Sequence, residues 1–321
     1  MSRVFIAGHD GTDPVLCYTD DKGSSWTTKT VDNDRKAYSL WGISRNELWL
    51  AGNPEAIGGE GEAYEPVTKF DGTSLSDDNI GEGTSGKEAL GCWAVEGGVF
   101  VVVSKTGDGD LYIYDAEDDD WDSESGSVRW RDVNGVSLTE VYVVGDSVLH
   151  KWDGSSLSLV DTLSNKVLHG VSALSETEIW IAASDGVYLY DGADFTQKLA
   201  KTNAYCVHAL SSNVIAAGGA GFVALSTDGG DTWTEYDSTF TGDIHGIFGR
   251  RYQEIWAVSD DGEVKRFDGS AWSADLDPGS GTAYWGVWQE VDDSPGISIV
   301  ALSFEFEKKG RMKKVGPTRR A

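Results

Sequence analysis

The chain has 321 residues, 40% of them hydrophobic, and it carries 53 acidic against 26 basic residues for a net charge of −27. This length and apolar content allow a full buried core. Such an acidic surface repels phosphate backbones, which argues against nucleic-acid binding. No apolar run approaches the length of a membrane span, so we expect no membrane insertion.

From its first apolar segment, VFIAG at 4–8, the chain is built from one recurring unit. In the clearest copy four short strands are predicted, over Val167–Val171, Glu178–Ala183, Val187–Tyr190 and Phe195–Leu199, with Asp-Gly turns at the last two junctions. Copies of the first strand recur 35 to 49 residues apart. Their anchor residues are Gly42, Gly91, Gly135, Gly170, Val207, Gly246 and Gly286.

A period near 40 residues with four strands per unit is typical of a β-propeller. We predict an all-β fold over residues 1–292, with seven four-stranded antiparallel blades. Six blades are continuous, and the seventh takes its inner strand from Ala283–Trp288 and its outer three from Ser2–Thr30, which closes the ring. In most copies the third strand ends on an aromatic-Asp turn, in which an aromatic residue is followed by Asp. An eighth blade would have to begin at Ile297–Ser303, but no aromatic-Asp turn follows that segment.

Two blades replace the usual aromatic-Asp turn with a longer one. They read Thr19-x-Asp21-x-Gly23-x-x-Trp26 and Ser226-x-Asp228-x-Gly230-x-x-Trp233. This pattern resembles the Asp-box (BNR) hairpin of sialidase-like and related propellers. We expect the Asp to cap turn N–H groups and the Trp to pack beneath, so its role is structural.

The sialidase resemblance implies a catalytic set of three arginines, a tyrosine–glutamate nucleophile and an acidic proton donor. No arginine here lies in the Phe/Tyr-Arg-Ile-Pro setting of that family, and none recurs on matching inner strands. Nucleophile-elbow, P-loop and His-rich metal motifs are missing too. We therefore predict a non-enzymatic protein with no cofactor and no metal; a glycan-degrading or glycan-binding propeller is the alternative.

The residue before each anchor should occupy an equivalent place around the central channel, so that these residues share one level. Those residues are Trp41, Leu90, Asn134, His169, Cys206, His245 and Trp285. Among them, Trp41, Asn134, His169, His245 and Trp285 are the predicted ligand-binding residues, because aromatic platforms suit sugar rings. The alternative is that they only line the channel or pack between blades.

Residues 106–125 gather carboxylates in what we expect to be a loop between blades. A Ca²⁺ site needs several oxygens converging on one point. Because the ligand spacing and glycine of an EF-hand loop are missing, a solvated acidic loop is the preferred interpretation.

Residues 293–321 are predicted to form a β-prone strand, Ile297–Phe306, followed by a basic tail. We expect this segment to attach the protein to other subunits of a larger assembly, by adding a strand to an acidic neighbour. The alternative is that it lies back across its own propeller. The predicted attachment residues are Ile297, Ile299, Phe304, Phe306, Lys308, Lys309, Arg311, Lys313, Lys314, Arg319 and Arg320.

The acidic, lysine-poor surface resembles that of proteins from hypersaline environments; an ordinary acidic mesophilic protein is the alternative. The chain enters a strand by Val4, leaving no room for a signal peptide. These features lead to an expectation of an interaction module on a virion surface, in the capsid or tail of a virus of a salt-loving host, with a host surface glycan or glycoprotein as a possible partner. A cytoplasmic scaffold or an assembly factor is the alternative.

Overall fold

The computed structural model describes residues 2–11, 13–30, 36–53, 66–78, 80, 87–105, 107–236, 239–279 and 283–290. For residues 53, 306–307 and 311–312 only the backbone is described. The chain divides into two compact units, Met1–Val291 and Asp292–Ala321. In the described part of the chain no helix is long and apolar enough to cross a bilayer.

The first unit is made of short strands joined by turns. In chain order they are β1 (Val4–His9), β2 (Pro14–Thr19), β3 (Thr27–Thr30), β4 (Lys36–Ser44), β5 (Glu47–Asn53), β6 (Val67–Phe70), β7 (Leu75–Asp78), β8 (Glu88–Val95), β9 (Gly98–Lys105), β10 (Asp108–Asp115), β11 (Asp120–Gly126), β12 (Trp130–Ser137), β13 (Glu140–Gly145), β14 (Val148–Trp152), β15 (Leu157–Thr162), β16 (Leu168–Ser175), β17 (Glu178–Ala183), β18 (Gly186–Tyr190), β19 (Phe195–Ala200), β20 (Ala204–Ala209), β21 (Ile215–Gly219), β22 (Phe222–Ser226), β23 (Thr234–Glu235), β24 (Ile244–Arg251), β25 (Glu254–Ser259), β26 (Val264–Phe267) and β27 (Ala283–Gln289).

These strands form the seven antiparallel blades that the repeats predict. Blades 1 to 5 are β4–β7, β8–β11, β12–β15, β16–β19 and β20–β23, each numbered from its inner strand outwards. Blade 6 has β24–β26, and its outer strand is reduced to the pairing of Phe267 with Trp272. Blade 7 is β27 followed by β1–β3.

The ring closes through blade 7, as predicted. The inner strand β27 pairs antiparallel with β1, so that Trp288 faces Phe5 and Val287 faces Ile6. Every inner strand lies beside the inner strands of two neighbouring blades. The pairing of β27 with β1 in one sheet completes blade 7, which protects these strand edges from pairing elsewhere.

The second strand of each blade is its buried centre. The run EIWIAA of β17 is buried from Ile179 onwards, and β25 is buried throughout. Strands covered on both faces read as continuous apolar runs. Trp49, Trp180 and Trp256 occupy the same register on three second strands and are almost fully buried.

The short aromatic-Asp turns share one hydrogen-bond pattern. Each Asp accepts the backbone N–H groups two and three residues later, and the glycine after the Asp has a positive φ of 91° to 98°. In blade 6 these bonds hold the pKa of Asp268 at about 2. The Asp residues are Asp71, Asp153, Asp191 and Asp268.

The two longer turns also form matching contacts. Asp21 accepts the N–H of Ser25 at 2.8 Å and its hydroxyl at 2.6 Å, bonds that lower the pKa of Asp21 to about 2. Asp228 accepts the same pair of groups from Thr232.

The tryptophan of each longer turn packs edge-on against the second-strand tryptophan of the preceding blade. Trp26 lies against Trp256, and Trp233 lies against Trp180. The glycines of these turns, Gly23 and Gly230, have φ values of 87° and 77°. Both turns therefore lie at an interface between blades.

The acidic segment 106–125 is not a loop between blades, and that expectation is wrong. Its residues from 108 onwards belong to the hairpin of β10 and β11, the two outer strands of blade 2. Tyr114 donates a hydrogen bond to Asp119 at the turn of this hairpin. The side-chain alternation of a strand spreads the carboxylates over two faces rather than bringing them to one point.

The second unit contains a small hairpin, in which β28 (Phe306–Glu307) pairs with β29 (Arg311–Met312). Of the predicted attachment residues, Phe306 and Arg311 belong to this hairpin. The others lie outside the described residues: Ile297, Ile299, Phe304, Lys308, Lys309, Lys313, Lys314, Arg319 and Arg320.

Side chains of one inner strand accept backbone N–H groups from the inner strand of the next blade. These bonds satisfy amides on the edge that no strand covers. The acceptor and donor pairs are Ser39 with Cys92, Asp132 with Val171, Asn134 with Ala173, and Ser172 with Ala209, at 2.9 to 3.2 Å.

We predict that Ser172→Ala lowers the free energy of unfolding by about 1–3 kcal/mol, because it leaves the buried Ala209 N–H without its acceptor. Ser158→Ala, on the exposed outer strand of the previous blade, should change it by less than about 0.5 kcal/mol. Urea denaturation of both variants measures the difference. Equal effects would contradict the stabilising role of the bonds between inner strands.

Candidate functional site

Each inner strand carries a β-bulge at its start, where one residue has no partner on the second strand. A bulged residue leaves the regular alternation of the strand, so its side chain is re-aimed. All seven of these side chains line a cavity at the central channel. This bulge ring consists of Tyr38, Leu90, Arg131, His169, Tyr205, His245 and Trp285.

Three of the five predicted ligand-binding residues, His169, His245 and Trp285, belong to the bulge ring. The other two, Trp41 and Asn134, line the same cavity three residues further along their strands. The expectation that all the residues before the anchors share one level is therefore wrong. The glycine of blades 1 and 3 stands later in the strand than in the other blades, and Cys206 follows its bulge by one residue.

Tyr38, Arg131 and Tyr205 were missed by anchoring on the first-strand glycine. A better signal lies in the second strand, whose register is regular. The bulge residue stands 11 positions before the second-strand residue at the tryptophan register in blades 1, 3, 4, 5 and 6, and 10 positions before it in blade 2.

Five consecutive blades contribute an unbroken arc of rings to the bulge ring. The ring centroids of His169 and Tyr205 are 5.4 Å apart, and those of Tyr205 and His245 are 4.8 Å apart with the planes nearly parallel. His245 lies 3.9 Å from Trp285, which packs edge-on against Tyr38 at 5.5 Å. We call these five side chains the aromatic arc.

Burial disfavours protonation of the two histidines of the aromatic arc. It lowers the pKa of His169 to about 4, and the positive charge of Arg131 contributes in the same direction. Burial also lowers the pKa of His245, although Asp260 and Asp243 oppose that shift. At pH 7 His169 is therefore a neutral ring, which suits stacking.

Arginines lie in the remaining part of the cavity wall. The side chain of Arg131 lines the cavity, and its buried Nε has no hydrogen-bond acceptor among the described residues. Arg129, also on the wall, contacts Glu88 at 3.3 Å. Burial lowers the pKa of Arg131, and the nearby charge of Arg129 lowers it further.

Further along the inner strands, aromatic side chains narrow the channel. The ring of Trp41 packs edge-on against Phe248 at 5.6 Å, and His208 stacks on Phe248 at 4.3 Å. His208 also forms a hydrogen bond from Nε2 to the carbonyl of Gly249. The cavity between this layer and the bulge ring has a volume of about 500 Å³.

One set of side chains beside the aromatic arc could hold a metal ion. Ligand atoms of Asp243, His245 and Asp260 lie within 4.8 Å of one another, with His245 Nε2 3.7 Å from Asp260 Oδ2. The other oxygen of Asp260 accepts the N–H of Asp243. The sequence did not indicate this set, because its members are separated along the chain: Asp243 precedes β24, which carries His245, and Asp260 follows β25.

No family model matches the chain, and no curated protein matches it. Solved structures do match. A YCF48 described as bound to D1 peptide has a TM-score of 0.57 at 11% identity, over 75% of this chain and 81% of its own. YCF48 from Cyanidioschyzon merolae gives 0.55 at 14%, over 84% and 94%. The WD40 propeller domain of Doa1 gives 0.59 at 15%, over 80% and 86%. These similarities establish the propeller fold alone.

We predict that the His169 imidazole titrates near pH 4, and that Arg131→Gln raises its pKa toward 6.5 without reaching it. Removing a nearby positive charge favours the imidazolium, whereas burial still opposes it. NMR titration of the histidine ring protons measures both values. Arg45→Gln, which removes an arginine paired with Glu290, is the control and should leave the pKa unchanged. A titration near pH 6.5 in the unsubstituted protein would contradict the prediction.

Proposed function

We propose that this propeller is a non-enzymatic interaction module and that its channel mouth receives a segment of a partner protein. The aromatic arc supports the proposal most directly. Five adjoining rings from five blades give a continuous apolar and aromatic wall, and such side chains dominate the energetics of protein interfaces. The Nε1 of Trp285 is buried and has no acceptor among the described residues, which leaves a donor for a bound segment.

The size of the cavity also supports binding of a short segment. A volume of about 500 Å³ lies within the usual range of 300–1,000 Å³ for ligand pockets. It would accept one or two side chains rather than a folded domain. The YCF48 structure with a D1 peptide is a propeller of similar fold that carries a peptide, which supports a peptide as the occupant here.

The polar groups of the wall support binding over catalysis. Asp132, whose pKa burial raises to about 7, is the best placed carboxyl for proton transfer. One of its oxygens accepts the N–H of Val171, and Asn134 accepts that of Ala173. Groups that hold neighbouring blades together have a structural role that accounts for their position.

A glycan is the second candidate occupant. Trp285 and Tyr205 offer flat faces of the kind on which sugar rings pack. The same cavity would then take a monosaccharide unit of a surface glycan, in place of a peptide side chain.

We predict that the protein binds a subset of peptides on a random peptide array, and that Trp285→Ala weakens this binding about tenfold or more by interrupting the aromatic arc. Trp121→Ala, on the outermost strand of blade 2, is the matched control and should bind normally. Melting curves check that both variants are folded. Binding only to a glycan array would favour the second candidate, and binding to neither array would overturn the proposal.

Three finer proposals rest on the sequence alone: that the two longer turns are Asp-boxes, that the protein is a virion component from a salt-loving host, and that residues 296–321 attach it to its assembly. The basic composition of that segment against the acidic remainder of the chain supports the last of these.

We predict that protein lacking residues 296–321 folds and stays soluble but is missing from purified particles. Mass spectrometry of the particles measures its presence, and circular dichroism checks the fold. An unfolded product would place the segment in the core of the protein, and normal incorporation would exclude it as the anchor. Absence of the full-length protein from particles would count against the virion role itself.

A further inference from the structure

We infer that Arg131, with Arg129 beside it, forms a carboxylate subsite in the channel mouth, and that the bound partner segment presents an acidic side chain or its C-terminal carboxylate there. This inference rests on the proposed function and names the chemistry of the occupant. In this inference the aromatic arc binds the apolar part of the ligand, and Arg131 with Arg129 binds its carboxylate.

The isolation of Arg131 is the first observation. This chain has about twice as many acidic as basic residues, and four of its other arginines form ion pairs: Arg3 with Asp20, Arg45 with Glu290, Arg129 with Glu88 and Arg251 with Glu254. Among the described residues Arg131 has no such partner, although it lies in a half-buried position, and its buried Nε has no acceptor there. A partly desolvated guanidinium without a counter-charge is costly unless something else compensates it.

The groups around Arg131 compensate that charge only in part. Arg129 brings a second positive charge, and His169 is neutral at pH 7. The nearest acidic influence is that of Asp146, whose carboxylate already accepts the N–H of Arg129 at 3.2 Å.

Two further acidic groups lie on the wall near the arginines. Asp132 is partly protonated near pH 7, because burial raises its pKa to about 7, and it accepts the N–H of Val171. Glu88 contacts Arg129 rather than Arg131. Of the two arginines on this side of the cavity, Arg129 is therefore paired with Glu88, and Arg131 is left without an ion pair among the described residues.

A carboxylate fits this site better than a more highly charged anion. The planar guanidinium matches carboxylate geometry with two parallel hydrogen bonds. A net charge of −27 repels polyanions at long range, so that a single negative charge next to an apolar body meets less opposition. The aromatic arc would pack against that apolar body. An acidic residue beside an aromatic or aliphatic one, in a peptide, has both parts.

The experiment uses the full-length protein and a synthetic peptide panel. Each member carries an aromatic residue followed by Asp, Glu or a free C-terminus, and is matched with an Asn, Gln or amidated analogue. Isothermal titration calorimetry compares the unsubstituted protein with Arg131→Gln and Arg131→Lys. Arg45→Gln is the matched control, and free glucuronic acid is included as a separate probe.

We expect the acidic peptides to bind about 10- to 100-fold more tightly than their neutral analogues, and Arg131→Gln to remove this preference. Arg131→Lys should restore it in part, since it keeps the charge without the planar fork. Arg45→Gln should retain the full preference for acidic peptides. Because Arg131→Gln removes a charge that is compensated only in part, its melting temperature should be unchanged or higher, which separates lost recognition from lost folding.

The outcomes distinguish this inference from the proposed function. Peptide binding that is lost in Trp285→Ala but equal for acidic and neutral peptides would overturn the carboxylate subsite and leave the interaction module standing. Arg131-dependent binding of glucuronic acid alone would also overturn it, because the occupant would then be an acidic sugar. The absence of any peptide binding would overturn both.

Discussion

The free edge of each inner strand is the constraint on which the rest of the structure depends. No further strand covers this edge at the channel, so its amides need other partners. Side chains from the preceding blade provide them, as Ser172 does for Ala209 and Asn134 for Ala173. These positions are consequently fixed by the ring. The bulge residue of each inner strand also faces the channel. Its side chain is not one of the acceptors in these bonds, and the candidate ligand-binding side chains are found mainly at this position.

The number and order of the blades could be predicted because each blade repeats the same pattern of buried apolar residues. Its second strand is covered on both faces and therefore reads as an apolar run, such as EIWIAA in β17. The closing pair of β1 and β27 followed from the same logic, since VFIAG lacks an inner strand of its own. The acidic hairpin of blade 2 was misread as a loop because aspartates flank the short apolar run LYIY of β10 on both sides, and the outer strand β11 has one apolar residue and is largely exposed.

The channel site was only half predictable, for a geometric reason. A bulge changes backbone pairing without requiring a particular residue type, so a small-residue anchor cannot fix its position. Gly170 follows its bulge directly, whereas Gly135 stands four residues beyond its own. Counting back from the second strand removes this ambiguity, because that strand has no bulge of its own. Arg131 also had no chemical motif to reveal it, since its neighbours in space come from separate blades.

The bulge ring is polarised, and this determines how it can be used. On five blades the rings contact one another, and burial keeps His169 uncharged at pH 7, so this part of the wall is apolar and aromatic. On blade 3 the wall carries the guanidinium of Arg131, whose buried Nε has no acceptor among the described residues. A ligand with one apolar and one anionic part can satisfy both regions in a single orientation. Because the supporting side chains are fixed by bonds between inner strands, that orientation is set before the ligand arrives, which lowers the entropy lost on binding.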